Sequence, residues 1–324
     1  MRIEIWADVV CAWAYIGKRR VERALRNRPE LAGAEVVWRP FRIDPVAPDQ
    51  AIPLEEAWRD PLVDAALRQC APGLSPAENR VRISAVAAAE GLGPAWGAAW
   101  RASSHHAHRL LYLALEHGGP ALQNAMAERV LRAYFLDGAD ISERELLTEL
   151  AADAGFDAAG AQLRSTAGER EVRELLLEGK ARAVTTSPTI VVGDRALAGA
   201  QSPEVIADFL VRGGQEREMP DEVRRLRWCA SLLDQRDPLG ALTLLRPLLD
   251  GHGHDPNVRR LAARGYFHSA QLTRAHAVLE GLVMDRPDDA YARLMLGRTL
   301  QRLGRAEEGE TQLRMATAMA PEYV

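Results

Sequence analysis

The sequence predicts an α/β domain carrying a large helical insertion, followed by an all-α domain of tandem repeats. Three observations predict this. Strand-forming apolar runs stand near both ends of the first two thirds, at 3–7, 35–41, 189–192 and 195–198. Between them, residues 62–179 read as helical almost throughout. Past residue 213 the character changes, and small and apolar residues recur every 34 positions. At 324 residues the chain exceeds a usual domain of about 100–200, so two domains are expected. The expected boundaries are 1–212 for the first domain, with its insert at 62–179, 213–221 for a linker and 222–324 for three repeats.

The first strand, 3–7, runs into Asp8-Val9-Val10-Cys11-Ala12-Trp13-Ala14-Tyr15-Ile16-Gly17-Lys18-Arg19-Arg20. Val21, Ala24 and Leu25 then follow at helical spacing. Cys11 therefore falls at a strand-to-helix junction, where unpaired amides and the positive end of the helix dipole favour an anion. Such a position lowers a thiol pKa to between ~3.5 and ~7.5, so a thiolate nucleophile is expected. Lys18, Arg19 and Arg20 are expected to add positive potential. The bland alternative is a buried, inert cysteine.

Glu35-Val36-Val37-Trp38-Arg39-Pro40-Phe41 is rich in strand formers. Pro40, Pro45, Pro48, Pro53 and Pro61 make the next stretch a loop. In the helical block, breaks are expected at 72–76, 91–94, 118–120, 138–140 and 155, where glycine and proline gather. Ser142, with Glu145 three residues on, reads as a capped helix start. Gly193-Asp194 is a hairpin signal between the last two strands. Pro203 sits at the first turn of a closing helix, 204–211.

On these residues the first domain resembles the DsbA-like thioredoxin-fold oxidoreductases, and within them the FrnE type. The resemblance covers about 1–212. That family carries Cys-Pro-Trp-Cys-Tyr followed by Ile-Gly-Lys-Arg-Arg, and this chain keeps Trp13, Tyr15 and the Gly-Lys-Arg-Arg tail. Ala12 replaces the proline and Ala14 the second cysteine. Trp38-Arg39-Pro40-Phe41, Ala107-His108-Arg109-Leu110-Leu111, Ala133-Tyr134-Phe135 and Gly199-Ala200-Gln201 match further family segments. The resemblance implies that Ser187-Pro188 is the cis-proline pair opening the third strand and facing Cys11, and a cis bond is cheap only before proline. It also implies that Trp13, Ser187 and Pro188 position substrate and that His108 touches the groove. His105, His106 and His108 lack the i, i+4 spacing with a carboxylate that a metal site favours, so no metal is expected.

Composition excludes several classes. Forty-one basic against 45 acidic residues give a net charge of −4, which suits neither nucleic acid nor a membrane surface. No apolar stretch approaches the ~18 residues of a membrane span, and Met1 leads directly into the first strand, so a cytoplasmic protein is expected. Cys11, Cys70 and Cys229 are odd in number and far apart, which fits no disulfide framework.

The last third divides into blocks at 222–255, 256–289 and 290–323. Position 8 holds Cys229, Ala263 and Gly297, and position 20 holds Ala241, Ala275 and Gly309. Position 24 holds Leu245, Leu279 and Leu313, and Pro287 and Pro321 close the later blocks. This resembles tetratricopeptide repeats, in which small residues let paired helices approach and the stack offers a groove to a protein partner. The last helix needs a cover, on the first domain or on a second copy of the chain.

The reading expected first is a thiol-disulfide oxidoreductase working through Cys11 alone. With Ala14 in place of a resolving thiol, an outside thiol such as glutathione must complete the exchange. No tightly bound cofactor is expected, and the substrate is a protein or small-molecule thiol or disulfide. A second reading is glutathione-dependent transfer or isomerisation, as in kappa-class glutathione transferases and hydroxychromene-carboxylate isomerases, which place serine where Cys11 stands. A third is a chaperedoxin-like holdase that binds clients without turnover.

Overall fold

A computed structural model of the chain describes residues 1–213 and 219–323. The linker expected at 213–221 therefore lies partly outside the described residues. The chain packs as two units, the second holding the helices from Asp221 onward together with the short stretch Lys180–Ala183.

The first unit starts with β1 (Arg2–Ala7), whose Ile3, Ile5 and Trp6 are fully buried or nearly so. Helix α1 (Ala12–Arg26) follows, then β2 (Glu35–Pro40). A two-residue strand β3 (Ile52–Pro53) leads into α2 (Leu54–Ala57), α3 (Pro61–Cys70) and α4 (Pro76–Ala89). After β4 (Trp100–Arg101) come α5 (His105–Phe135), α6 (Arg144–Ala152), α7 (Ala159–Arg164) and α8 (Glu169–Ala181). Strands β5 (Thr189–Val192) and β6 (Arg195–Ala198) and helix α9 (Pro203–Arg212) complete it.

The main sheet has the order β2-β1-β5-β6. β1 and β2 are parallel, with Ile5 opposite Trp38, while β5 pairs antiparallel to β1 and β6 antiparallel to β5. A parallel pair needs a crossover, and α1 supplies it. Trp6 lies under α8, where Gly179 leaves room: a Cβ there would stand 2.6 Å from the Trp6 ring. The breaks expected in the helical block appear, including non-helical backbone at Gly118 and Gly119 inside α5, just before Pro120.

Two local expectations are corrected. Ser142 is not a helix cap: its hydroxyl donates to Asp140 Oδ1 at 2.6 Å, and Glu143 precedes the helix with no side-chain cap bond. The nearby aspartate competes for the hydroxyl, as such turns do. The stretch before Pro61 is not all loop, because Ile52 and Pro53 pair with Arg101 and Trp100. A two-residue ladder containing proline leaves too little pattern to read.

The second unit is three helix pairs: α10 (Asp221–Asp234) with α11 (Pro238–His252), α12 (Pro256–His268) with α13 (Leu272–Asp285), and α14 (Ala290–Arg302) with α15 (Ala306–Met319). Cys229, Ala241, Ala263, Ala275, Gly297 and Gly309 are all buried where paired helices cross. At the last crossing the backbones nearly touch, since a Cβ on Gly309 would stand 2.8 Å from the Gly297 carbonyl. Leu245 and Leu279 are buried, but Leu313 on α15 is only half-buried.

Candidate functional site

The C-terminal ends of the parallel strands β1 and β2 open onto one edge of the sheet, the usual place for a site in such a fold. Cys11 is the N-cap residue of α1, with extended backbone and no side-chain cap bond. Its amide donates to the Asp8 carbonyl at 3.0 Å, and its own carbonyl accepts from the Ala14 amide at 2.9 Å, which closes the turn tightly. The Cys11 thiol donates to the Ser187 carbonyl at 3.4 Å.

The Ser187-Pro188 bond is cis, and Pro188 is buried against α1. Gly17 makes this approach feasible: a Cβ there would lie 3.0 Å from Pro188 Cγ. The family-like glycine at 17 therefore has a local reason, which is to admit the proline ring. The Pro188 carbonyl accepts from Gly199, at φ +80°, at 2.8 Å. The sequence-predicted Cys11, Ser187 and Pro188 are thus brought together. Trp13 is half-buried, with the Arg82 guanidinium 5.2 Å from its ring centre.

The expectation of a thiolate is corrected. Cys11 is only 7% exposed, and burial pushes its thiol up to about 11. The Ser187 side chain and the Ala14 and Trp13 amides pull the other way, and the Asp8 carboxylate adds a smaller upward push. Loss of hydration outweighs the helix terminus, so the resting sulfur is a neutral thiol. The three cations after the motif do not help. Lys18 is buried and pairs with Glu22 and Glu128, Arg19 pairs with the same two carboxylates, and Arg20 pairs with Glu90 and the Ala200 carbonyl. Ala14 is fully buried, and Cys11, Cys70 and Cys229 are all free.

Asp8 is the residue whose part could not be read from its own motif. It is fully buried, and its Oδ2 accepts from the Ile43 amide at 2.7 Å while Oδ1 accepts from the Val10 amide at 3.4 Å. Its own amide donates to Ser187 Oγ at 3.0 Å. One aspartate thus joins the turn before Cys11, the segment after β2 and the loop before Pro188. The aspartate that opens the motif, three residues before Cys11, was the available signal. His108 is buried rather than open to a groove: its Nε2 meets the Phe41 carbonyl at 2.9 Å and Asp8 Oδ1 at 3.3 Å.

His105, His106 and Glu169 lie within 4.8 Å of one another by their ligating atoms. Two guanidiniums face that cluster. Arg109 pairs with Glu169 at 3.1 Å and stands 3.3 Å from His106 Nδ1, while Arg144 donates to His106 Nε2 at 2.9 Å. Arg109 also donates to the carbonyls of Leu163, Ser165 and Ala167, so it ties the end of α7 to α5. Burial and Arg144 push His106 down to about 4. Fixed positive charge at both ring nitrogens disfavours a cation. Among the described residues, no helix is long and apolar enough to cross a membrane.

Residues 2–211 match the DSBA-like thioredoxin domain, and 232–295 match the tetratricopeptide repeat. The chain is similar to a solved structure, the probable DsbA oxidoreductase SCO1869 from Streptomyces coelicolor. The identity is 32%, over 68% of this chain and 92% of that one, with a TM-score of 0.55. It is similar in fold to 2-hydroxychromene-2-carboxylate isomerase, at 17% identity, 65% and 95% coverage and a TM-score of 0.51. A relative in Bacillus subtilis (strain 168), described as "Uncharacterized protein YwbO", is 23% identical over 210 residues, 63% of this chain and 93% of its own length. With the strand order, the helix-capping cysteine and the cis-proline beside it already in hand, these likenesses converge: the chain belongs to the DSBA-like thioredoxin domain family and carries tetratricopeptide repeats after that domain.

Proposed function

We propose that the first unit exchanges thiols and disulfides through the single sulfur of Cys11. The observation that carries this reading is the 3.4 Å contact between the Cys11 thiol and the carbonyl of Ser187, the residue before cis-Pro188. A sulfur at a helix start, next to a backbone edge that can align an extended segment, is the arrangement that disulfide exchange needs.

The cycle balances with one protein sulfur. Cys11 gives up its proton to solvent and attacks a disulfide, forming a mixed disulfide and releasing one substrate half as a thiolate. An external thiol of the glutathione class then attacks the bound half. It leaves with that half as a new disulfide, and Cys11 regains its proton. The net result is one disulfide traded for another, with Trp13 shielding the sulfur and Ser187 and Pro188 aligning the substrate. Because the resting thiol is neutral, exchange quickens when substrate contact uncovers Cys11 or when the pH rises.

The test is site-mapped mass spectrometry after incubation with oxidised glutathione at pH 7 and pH 9. An adduct on Cys11 that forms faster at pH 9 supports the reading. Modification of exposed Cys70 alone at both pH values overturns it. The buried, neutral state of Cys11 favours one second reading, a client-binding protein without turnover that uses its repeats. Suppressed aggregation of a heated client, unchanged by Cys11→Ser, would select that reading.

A further inference from the structure

Asp8 places a carboxylate where water does not reach. It is fully buried, and no lysine or arginine among the described residues pairs with it. Its oxygens accept from the Ile43 amide at 2.7 Å and the Val10 amide at 3.4 Å. The third group against it is the His108 imidazole, whose Nε2 stands 3.3 Å from Oδ1. A buried anion is tolerable only with donors turned toward it, so each of these three matters.

The proton on His108 is fixed by its other neighbour. Nε2 also lies 2.9 Å from the Phe41 carbonyl, and a carbonyl oxygen can only accept, so Nε2 carries a hydrogen. The positive end of that N–H bond therefore lies beside the Asp8 carboxylate whatever the state of Nδ1. The residue is 3% exposed and stands near the start of α5, where packing holds the ring in place.

Asp8 and Cys11 meet on one residue. The Asp8 amide donates to Ser187 Oγ at 3.0 Å, and the Cys11 thiol donates to the Ser187 carbonyl at 3.4 Å. The Cys11 amide donates back to the Asp8 carbonyl at 3.0 Å. A negative charge so placed opposes ionisation of the sulfur. Tyr134 also feels Asp8, but its hydroxyl donates to the Trp100 carbonyl at 2.6 Å and burial pushes it up, so it stays neutral. Asp44 and Asp140, which act on Tyr134, are taken by Arg101 and by the Ser142 hydroxyl. Among the described residues, the side-chain donor beside Asp8 is thus His108.

We propose that His108 is a positioning residue of this site: acting through Asp8, it tempers the negative charge beside Cys11 and so keeps that sulfur usable as a nucleophile. The inference rests on the exchange reading for its purpose, but it concerns only the readiness of the thiol. It gives the buried histidine a task other than touching substrate.

The experiment follows alkylation of Cys11 by iodoacetamide at pH 9 in the full chain, mapped by mass spectrometry. Four proteins form a cycle: the intact chain, His108→Leu, Asp8→Asn and the double substitution. His108→Leu is expected to slow Cys11 about threefold when Asp8 is present, and to change it by less than about 1.5-fold in the Asp8→Asn background. A loss of packing common to both backgrounds cancels in the cycle. His108→Phe, which keeps the ring without the N–H, should behave like His108→Leu, and His108→Gln, which keeps a donor, should recover most of the rate. These two carry the comparison if His108→Leu does not fold. No slowing with Asp8 present, or equal slowing in both backgrounds, overturns the role of His108 and leaves exchange at Cys11 standing. Absence of any oxidised-glutathione adduct on Cys11 in the intact chain overturns the exchange reading instead.

Discussion

Two cysteines of this chain are buried, one in each unit, and their surroundings differ. Cys229 lies at a helix crossing in the repeats, where burial pushes its thiol up to about 12 and Arg225 pulls only modestly the other way. Cys11 is pushed up to about 11, but the Ser187 side chain and two amides of the first helix turn favour its anion. Desolvation alone makes a thiol inert, and both sites have it. What separates them is that Cys11 already sits among donors that would hold a thiolate once water reaches it. Cys229 has a packing neighbourhood instead, with Ala241 across the crossing at the matching small position.

Removing each sulfur in turn is the most severe way to break this pairing. Cys11→Ser should abolish the mixed disulfide at that site, whereas Cys229→Ala should leave the Cys11 adduct rate within about twofold, since the two sulfurs belong to separate units and share no partner. Mapped mass spectrometry reads both.

Next in size is the pH response. Alkylation of Cys11 by iodoacetamide should rise about tenfold per pH unit from 7 to 10 and bend near 11. A bend below 8 would show that burial does not govern this thiol. Cys229 should react only through unfolding.

The same shifts set an alkaline limit on stability. Each folded-state pKa lies above the thiol's ordinary value near 9, so the folded chain holds its proton where the unfolded chain has lost it. The stabilisation is fully present below pH 9 and is lost as pH rises through about 11 for Cys11 and about 12 for Cys229. Denaturant melts across that range should show the loss, and Cys11→Ala should remove the earlier part.

Backbone proximity sharpens the contrast between the units. Gly297→Ala should destabilise by about 1–3 kcal/mol, because its new Cβ meets the Gly309 carbonyl at 2.9 Å and Leu313 Cγ at 2.7 Å. Gly17→Ala has one tight contact, Pro188 Cγ at 3.0 Å, beside Ala200 Cβ at an ordinary 3.6 Å, and gains helix propensity worth about 1 kcal/mol, so its net effect should be smaller. Chemical denaturation compares the two.

The smallest expected change is electrostatic. Asp8→Asn removes a charge that raises the Cys11 pKa and should speed its alkylation at pH 7 a few-fold. Slower alkylation would mean that the carboxylate's grip on Val10 and Ile43 matters more than its charge.

The elements were legible where a period repeats often enough to be seen. The small residues at 229, 241, 263, 275, 297 and 309 and the strand runs around the insert carried the architecture. The paired β3 and β4, two residues each, offered no period at all. In the site, Cys11 and Pro188 were legible as residue types in a motif, but the state of the sulfur was not. Burial of Cys11 is a property of what packs around it, and no local pattern reports that. The cations after the motif mislead for a related reason: sequence shows the charge of Lys18 but not Glu128, more than a hundred positions away, which neutralises it.

Ala14 sits in the dry interior one turn along from Cys11. A single added sulfur there would be shielded from solvent more completely than its neighbour at 11. One atom therefore divides a chain that could carry its own oxidising equivalent from one that, under the proposed exchange, would borrow it at every cycle. A substitution at that site would ask whether the scaffold still has room for a resident partner.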